Sequence, residues 1–179
     1  MKSVLMLRHG KSSWKDPELT DHDRPLNKRG KRDAPRIGAL LKNEHRAPEV
    51  IISSTAIRAR TTAEAVSKAS GYKGEIKLNR SLYASGPEAY FDVMHDLSDD
   101  LIRVLIVGHN PGLEEVVEML TGEIQLMYVL IGPCQTKNRT TISIMSINGI
   151  WMVVEQEDRG GSKERLNLIL DSNSNGNCR

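Results

Sequence analysis

Three short segments carry groups suited to one anion: Arg8-His9-Gly10, Ser54-Thr55-Ala56-Ile57-Arg58-Ala59 and Val107-Gly108-His109-Asn110-Pro111-Gly112. Guanidinium groups meet phosphoryl oxygens through paired N–H donors, and imidazoles add donors or acceptors according to their tautomer. Two arginines, two histidines and a helix start therefore suit a pocket for a dianionic phosphoryl group. No carboxylate cluster of magnesium-site character accompanies them, so side-chain charge would serve in place of a metal. The expected metal and cofactor requirement is none.

Those groups sit where strands end. Val4-Leu5-Met6-Leu7 is an apolar run that stops at Arg8-His9-Gly10, and Val50-Ile51-Ile52 ends on Ser53-Ser54-Thr55. Ile102-Arg103-Val104-Leu105-Ile106-Val107 is β-branched and nearly continuous, as a central strand is, and it ends at Gly108-His109. In an open α/β sheet, ligands bind at the carboxyl ends of the strands, which gather segments far apart in sequence.

The elements between fit that arrangement. Lys11 to Pro25 lacks periodicity and reads as a long functional loop. Asn27 then caps a basic helix that sends Ile37, Leu40 and Leu41 to the core, with Pro35 and Gly38 near its start. Ala56 to Ala69 is a helix closed by Gly71, with Arg58 in its first turn. Glu75 to Leu78 fits a short strand, and Pro87 to Leu97 an amphipathic helix with Tyr90, Phe91, Met94 and Leu97 on one face. Pro111 suits a first helical position, followed by Leu113, Val116, Val117 and Leu120 up to Gly122. From Thr140, β-prone residues flank Asn148-Gly149, the signature of a hairpin. The pattern predicts an α/β fold in three layers: a doubly wound, mostly parallel sheet with an antiparallel C-terminal hairpin. It is one domain over residues 1–158, with a flexible polar tail over 159–179.

Composition narrows the function classes. At 179 residues, 39% hydrophobic and 27% charged, the chain can bury one ordinary core. A formal charge of +2 gives no general nucleic-acid surface, and no apolar run approaches the roughly 20 residues that cross a bilayer. Cys134 and Cys178 form neither a disulfide framework nor a metal set. Met1-Lys2-Ser3 passes at once into the first strand, which leaves no room for a leader and suggests the cytoplasm. Gly10-Lys11-Ser12 after a strand invites a nucleotide-binding P-loop, but that motif needs a glycine where Leu5 stands.

Together the three segments resemble the histidine phosphatase superfamily, which includes the phosphoglycerate mutases. More narrowly, Arg8-His9-Gly10-Lys11-Ser12-Ser13-Trp14, Asp21-His22-Asp23-Arg24-Pro25-Leu26 and Arg32-Asp33-Ala34-Pro35 are similar to the short SixA-type phosphohistidine phosphatases. The likeness is close over residues 2–125 and looser in the final hairpin. It implies a phosphoglycerate mutase-like fold and a metal-independent hydrolase. His9 would be the nucleophile, forming a phosphohistidine intermediate that water hydrolyses; Arg8, Arg58 and His109 would hold the phosphoryl oxygens. Asp21 is the candidate general acid by loop position, and Glu88, after Gly86-Pro87, stands where larger members place one. Lys11, Ser12 and Trp14 would line the substrate side. The absence of long insertions implies an open site suited to a phosphorylated protein, such as a histidine-containing phosphotransfer domain. A small phosphate ester is the alternative substrate, and a non-catalytic phosphoprotein-binding module the alternative role. No nucleic-acid or membrane partner is implied, and the chain is expected to be a monomer.

Two departures from the family pattern stand out: Thr55 replaces a common proline, and Leu130 to Arg139 differs from the usual approach to the last strands. His22, His45 and His95 read as surface residues. Lys28, Arg29, Lys31 and Arg32 read as a solvated helix face that an acidic phosphoprotein could use. Asp23 and Arg24 have two readings, pinning the loop or taking part in catalysis.

Overall fold

A computed structural model describes residues 3–121, together with the strand residues 134–135, 141–147 and 150–155. The strands are β1 (Ser3–Arg8), β2 (Val50–Ser54), β3 (Ile76–Asn79), β4 (Arg103–Gly108), β5 (Cys134–Gln135), β6 (Thr141–Ile147) and β7 (Ile150–Glu155). They form one sheet in the order β3-β2-β4-β1-β7-β6-β5. The first four are mutually parallel, whereas β7 runs antiparallel to β1 and β6 antiparallel to β7. The turn expected at Asn148-Gly149, the segment Leu130 to Arg139 apart from Cys134–Gln135, and the 159–179 tail lie outside the described residues.

Helices α1 (Lys28–Asn43) and α2 (Ile57–Ser70) cover one face, and α3 (Glu88–His95) and α4 (Gly112–Thr121) the other. Strand alternation explains the division. Leu5 and Leu7 join the cluster with Ile37, Leu41, Ala63 and Val66, while Met6 between them joins Tyr90, Val93, Leu113 and Val116. Strands β1, β4 and β2 contribute to both clusters and read as continuous apolar runs because neither face meets water.

The winding places the crevice. From β1 to β2 and on to β3 the chain moves toward one edge, then returns to β4 between β2 and β1. Right-handed crossovers require the connecting helix to change face when the direction of travel reverses. The chain leaving β1 therefore heads to one face while the chain leaving neighbouring β4 heads to the other, and the gap between them is where ligands bind in such sheets.

Local signals account for most boundaries. Asn27 accepts from Gly30 N–H and starts α1, and Gly71 ends α2 at φ 82°. Pro35 falls inside α1, as its eighth residue. Gly38 lets α1 lie against α2, since a Cβ there would stand 2.4 Å from the Val66 carbonyl oxygen. The third helix is shorter than its apolar pattern: Pro87 caps it, and its buried residues are Tyr90 and Val93, with Phe91 and Met94 only partly covered. Among the described residues, no helix is long and apolar enough to cross a membrane.

Candidate active site

His9 and His109 follow directly on the paired strands β1 and β4. Arg8 lies opposite Gly108 in register, and His9 N–H extends the ladder to the Gly108 carbonyl at 3.1 Å. This brings the two imidazoles to 4.9 Å between centroids, tilted at 56°. Strand β2, on the other side of β4, delivers Ser54 and then Arg58, whose Nε donates to His9 Nε2 at 3.1 Å. Three distant segments thus converge.

The tautomer of His9 follows from its neighbours. Its Nδ1 donates to the Gly10 carbonyl at 2.7 Å, so Nε2 carries the lone pair. Gly10 is fixed in turn by Thr62, which accepts from Gly10 N–H at 3.0 Å and donates to the Arg58 carbonyl at 2.7 Å. Burial pushes the His9 pKa down to about 4, against the pull of the Gly10 hydrogen bond; the charges of Arg58, Arg8 and Arg24 push the same way as burial. The ring is neutral at pH 7.

Arg58 is buried and fully engaged. Besides His9, its terminal nitrogens donate to the Asp21 backbone carbonyl and, at 2.8 Å, to Asp21 Oδ2. Asp21 also accepts from Arg24 at 2.6 Å and from the Tyr83 hydroxyl at 3.0 Å. Partial burial raises the Asp21 pKa, but hydrogen bonds from Arg58 and Tyr83 and the charges of Arg58 and Arg24 outweigh it, and the net shift is downward. In this arrangement Asp21 is an ionised acceptor with no proton to give, so a general acid at this position requires the carboxylate first to leave its arginines.

The loop that carries Asp21 is closed on itself. Ser12 bridges Leu26, Ser13 N–H donates to the Pro25 carbonyl at 2.8 Å, and Asn27 N–H to that of Lys11 at 2.9 Å. Arg24, buried, donates to the Ser13 carbonyl at 3.1 Å and to the Ser12 hydroxyl, and lies over the Trp14 ring. Arg24 therefore pins the loop. The loop also meets α2: His22 O accepts from Ile57 N–H at 3.0 Å, so the helix start read from the sequence as an anion site has that N–H satisfied by protein.

His109 is held from both sides. Its Nε2 lies 2.8 Å from Ser54 Oγ, and its Nδ1, though buried, meets no hydrogen-bond partner. Burial lowers its pKa to about 3, helped by the charges of His9, Arg58 and Arg8 and opposed by Asp21. Tyr90, fully buried, accepts from His109 N–H at 2.9 Å and donates to His109 O at 3.2 Å. Tyr90→Phe leaves the buried His109 N–H without this acceptor, while His109 O keeps the Leu113 N–H at 3.1 Å, and is expected to lower stability by about 1–3 kcal/mol. Urea unfolding checks this as a lower midpoint at unchanged slope.

The two depressed histidines also set a pH dependence of stability. In the unfolded chain each titrates near 6.5, whereas the folded forms resist protonation down to about 4 and 3. As pH falls through 6.5, the unfolded state takes up protons that the folded state refuses, so stability falls across that window, by on the order of 3 kcal/mol for His9 alone. Thermal midpoints measured from pH 7 to pH 4 should decline, and the decline should flatten in His109→Gln. A slope unchanged by that substitution would place the pH dependence elsewhere.

The remaining predicted residues are distributed around this centre. Arg8 is half-buried and has no ion pair among the described residues. Lys11 and Trp14 are exposed on the loop rim, Trp14 at 74%, whereas Ser12 is buried with its hydroxyl on Arg24. Glu88 is exposed in the first turn of α3, with no hydrogen bond to Arg8, His9, Arg58 or His109 among the described residues. His22 is not the surface residue expected: its Nδ1 donates to Asp23 at 3.2 Å, its Nε2 meets Thr55 Oγ1 at 2.9 Å and its ring packs edge-on to Tyr83 at 4.8 Å. The run Lys28, Arg29, Lys31, Arg32 is not purely a solvated face, because Arg29 and Arg32, together with Arg36, surround the buried Asp33 carboxylate.

Tyr83, Ser54, Thr62 and Tyr90 were not legible as site residues. Tyr83 stands edge-on to His109 at 5.7 Å, yet nothing around Leu82-Tyr83-Ala84 marks it in the sequence. Thr62 lies one helical turn after Arg58, a spacing that accounts for its bond to the Arg58 carbonyl but not for its contact with Gly10. Among the described residues, no group of three or more His, Cys, Asp or Glu is placed to hold a metal.

Comparison with known proteins leads to the family that the sequence resembles. The family model described as histidine phosphatase superfamily (branch 1) matches residues 4–83. An uncharacterized chloroplastic protein of Arabidopsis thaliana is 32% identical over 130 residues, 68% of this chain but only 60% of its own length. An uncharacterized Mycobacterium leprae protein is 32% identical over 155 residues, 84% of this chain and 93% of its own. Among solved structures, an Agrobacterium tumefaciens protein assigned as the phosphohistidine phosphatase SixA superposes with a TM-score of 0.63 and 34% identity, covering 68% of this chain and 78% of that one. The protein histidine phosphatase SixA complexed with tungstate has a TM-score of 0.61 at 22% identity, covering 80% and 87%, a likeness of fold.

Proposed function

The chain belongs to the histidine phosphatase superfamily, and from that premise we propose that it is a metal-independent phosphatase acting on phosphohistidine in a protein, such as a histidine-containing phosphotransfer domain. The observation that carries this reading is the His9 imidazole, neutral, with Nδ1–H committed to Gly10 and Nε2 directed at Arg58. The likeness to the Agrobacterium protein supports the phosphohistidine substrate.

The steps follow from these contacts. In the resting site the His9 lone pair accepts from Arg58 Nε–H. A phosphoryl oxygen that takes over this donor frees the pair, so binding and nucleophile activation are one event. Nε2 then attacks phosphorus, the bond from phosphorus to the substrate nitrogen breaks, and the departing imidazole takes a proton from solvent. Water hydrolyses the phosphorylated His9, releasing inorganic phosphate and restoring the lone pair. Arg8, Arg58 and His109 hold the oxygens as charge redistributes among them. The substrate nitrogen takes up a proton from solvent and leaves as neutral imidazole, so an ionised Asp21 is no obstacle, as it would be for an ester oxygen that has to depart as alkoxide.

The test is a side-by-side assay, with chelator present, of a phosphohistidine protein, para-nitrophenyl phosphate and sugar phosphates. Release fastest on the phosphohistidine protein, and insensitive to chelator, is the expected result. Higher kcat/KM on a small ester would reassign the substrate, a requirement for added metal would overturn the mechanism, and phosphate binding without turnover would make the chain a recognition module.

A further inference from the structure

We propose that Ser54 is a positioning residue that sets the tautomer of His109, holding the proton on Nδ1 so that this ring can donate to a phosphoryl oxygen. The inference rests on the phosphoryl-binding reading of the site above.

Two observations carry it. First, Ser54 is completely buried, and its Oγ has two neighbours: Ala56 N–H, which donates to it at 3.4 Å, and His109 Nε2 at 2.8 Å. A serine hydroxyl has one hydrogen and two acceptor sites. Were His109 Nε2 protonated, Ser54 Oγ would accept from both neighbours, and its own hydrogen would be a buried donor with no acceptor. Folded proteins avoid that arrangement. With the hydroxyl donating to Nε2, a neutral ring carries its proton on Nδ1, and that N–H is the one polar group left open, whereas the other tautomer would strand both the serine hydrogen and the Nδ1 lone pair.

Second, Nδ1 of this ring is buried without a partner, on a residue that is 6% exposed. It is the polar atom of His109 left for a ligand to engage. On a neutral imidazole it helps an anion only as N–H; as a lone pair it would repel the same oxygen. Burial and the surrounding cations keep the ring uncharged in the resting protein, so it cannot supply a donor at both nitrogens. The choice made at Ser54 therefore decides whether His109 attracts or repels the substrate. Ser54 also closes β2 four residues before Arg58, so the strand that brings the guanidinium into the site brings the tautomer control with it.

The test combines imidazole nitrogen NMR with binding of inorganic phosphate, using the full chain. In the wild type at pH 7, the His109 nitrogens, assigned by comparison with His109→Gln, should show Nδ1 protonated and Nε2 bare. In Ser54→Ala the proton should redistribute toward Nε2, and the phosphate dissociation constant should rise about 10- to 100-fold, the loss of a hydrogen bond to a charged group. Ser54→Cys, which keeps a weak donor of similar size, should recover part of both, and serves alone if the alanine variant does not fold. An Nε2-protonated wild type overturns the proposal. So does a change of affinity without a change of tautomer, or the reverse. A wild type that fails to bind phosphate while showing the Nδ1 tautomer would instead defeat the phosphoryl reading of the site and leave the tautomer assignment standing.

Discussion

His9→Ala is expected to reduce phosphate release to background, a loss of at least about 10⁴-fold in kcat, of the size seen when a covalent nucleophile is deleted. No other described side chain presents a neutral imidazole lone pair against Arg58, and His109 cannot substitute, because its Nε2 is engaged with Ser54. The wild type incubated with substrate and quenched should carry an acid-labile, alkali-stable phosphate, as a phosphoramidate does, and the variant should carry none. The fold should persist: the substitution removes one hydrogen bond to Gly10, whose position is also held by Thr62. Turnover in His9→Ala near the wild-type rate would remove the mechanism at its root.

Arg58→Ala is expected to lower kcat/KM by about 10²–10³-fold, the range for deleting a preorganised charged donor at a transition state. This guanidinium connects the nucleophile, the Asp21 loop and the position proposed for the phosphoryl oxygens, so lysine should recover little; one ammonium cannot reproduce donors directed at three groups. The pH profile gives an independent readout. Only neutral His9 attacks, so wild-type kcat/KM should hold as pH falls until it approaches about 4. Arg58 is one of the charges that keep the proton off His9, and removing it leaves the ring easier to protonate. The acidic limb in Arg58→Ala should therefore lie at higher pH than in the wild type. An acidic limb that stays in place would mean that the Arg58 charge does not govern His9.

The behaviour of Asp21 bears on how such a site works in a short chain. A carboxylate facing two arginines and a tyrosine occupies donors that an anionic substrate would otherwise claim, and it does so on a loop that Arg24 and the Ser12–Leu26 bridge hold in place. The resting site thus carries its own internal anion, which keeps two buried guanidiniums compensated where burial of an uncompensated charge would be costly.

Much of this was legible before any fold was known. Apolar runs ending at Arg8, Ser54 and Gly108 identified the parallel strands, because a strand covered on both faces has to be continuously apolar. Asn27 and Gly71 marked helix ends through the backbone groups that they satisfy, and His9, Arg58 and His109 stood out because chemistry at strand ends is local to the chain. What the tertiary structure alone decided are contacts across long sequence separations: Tyr83 on Asp21, His22 against Tyr83, Ser54 on His109, and Thr62 on Gly10. These depend on which strands become neighbours and which faces the helices cover, and no residue's own type or spacing carries that information. The sequence thus specified which groups could act on a phosphoryl anion, while the packing of the sheet specified their protonation, their tautomers and the partners that hold them.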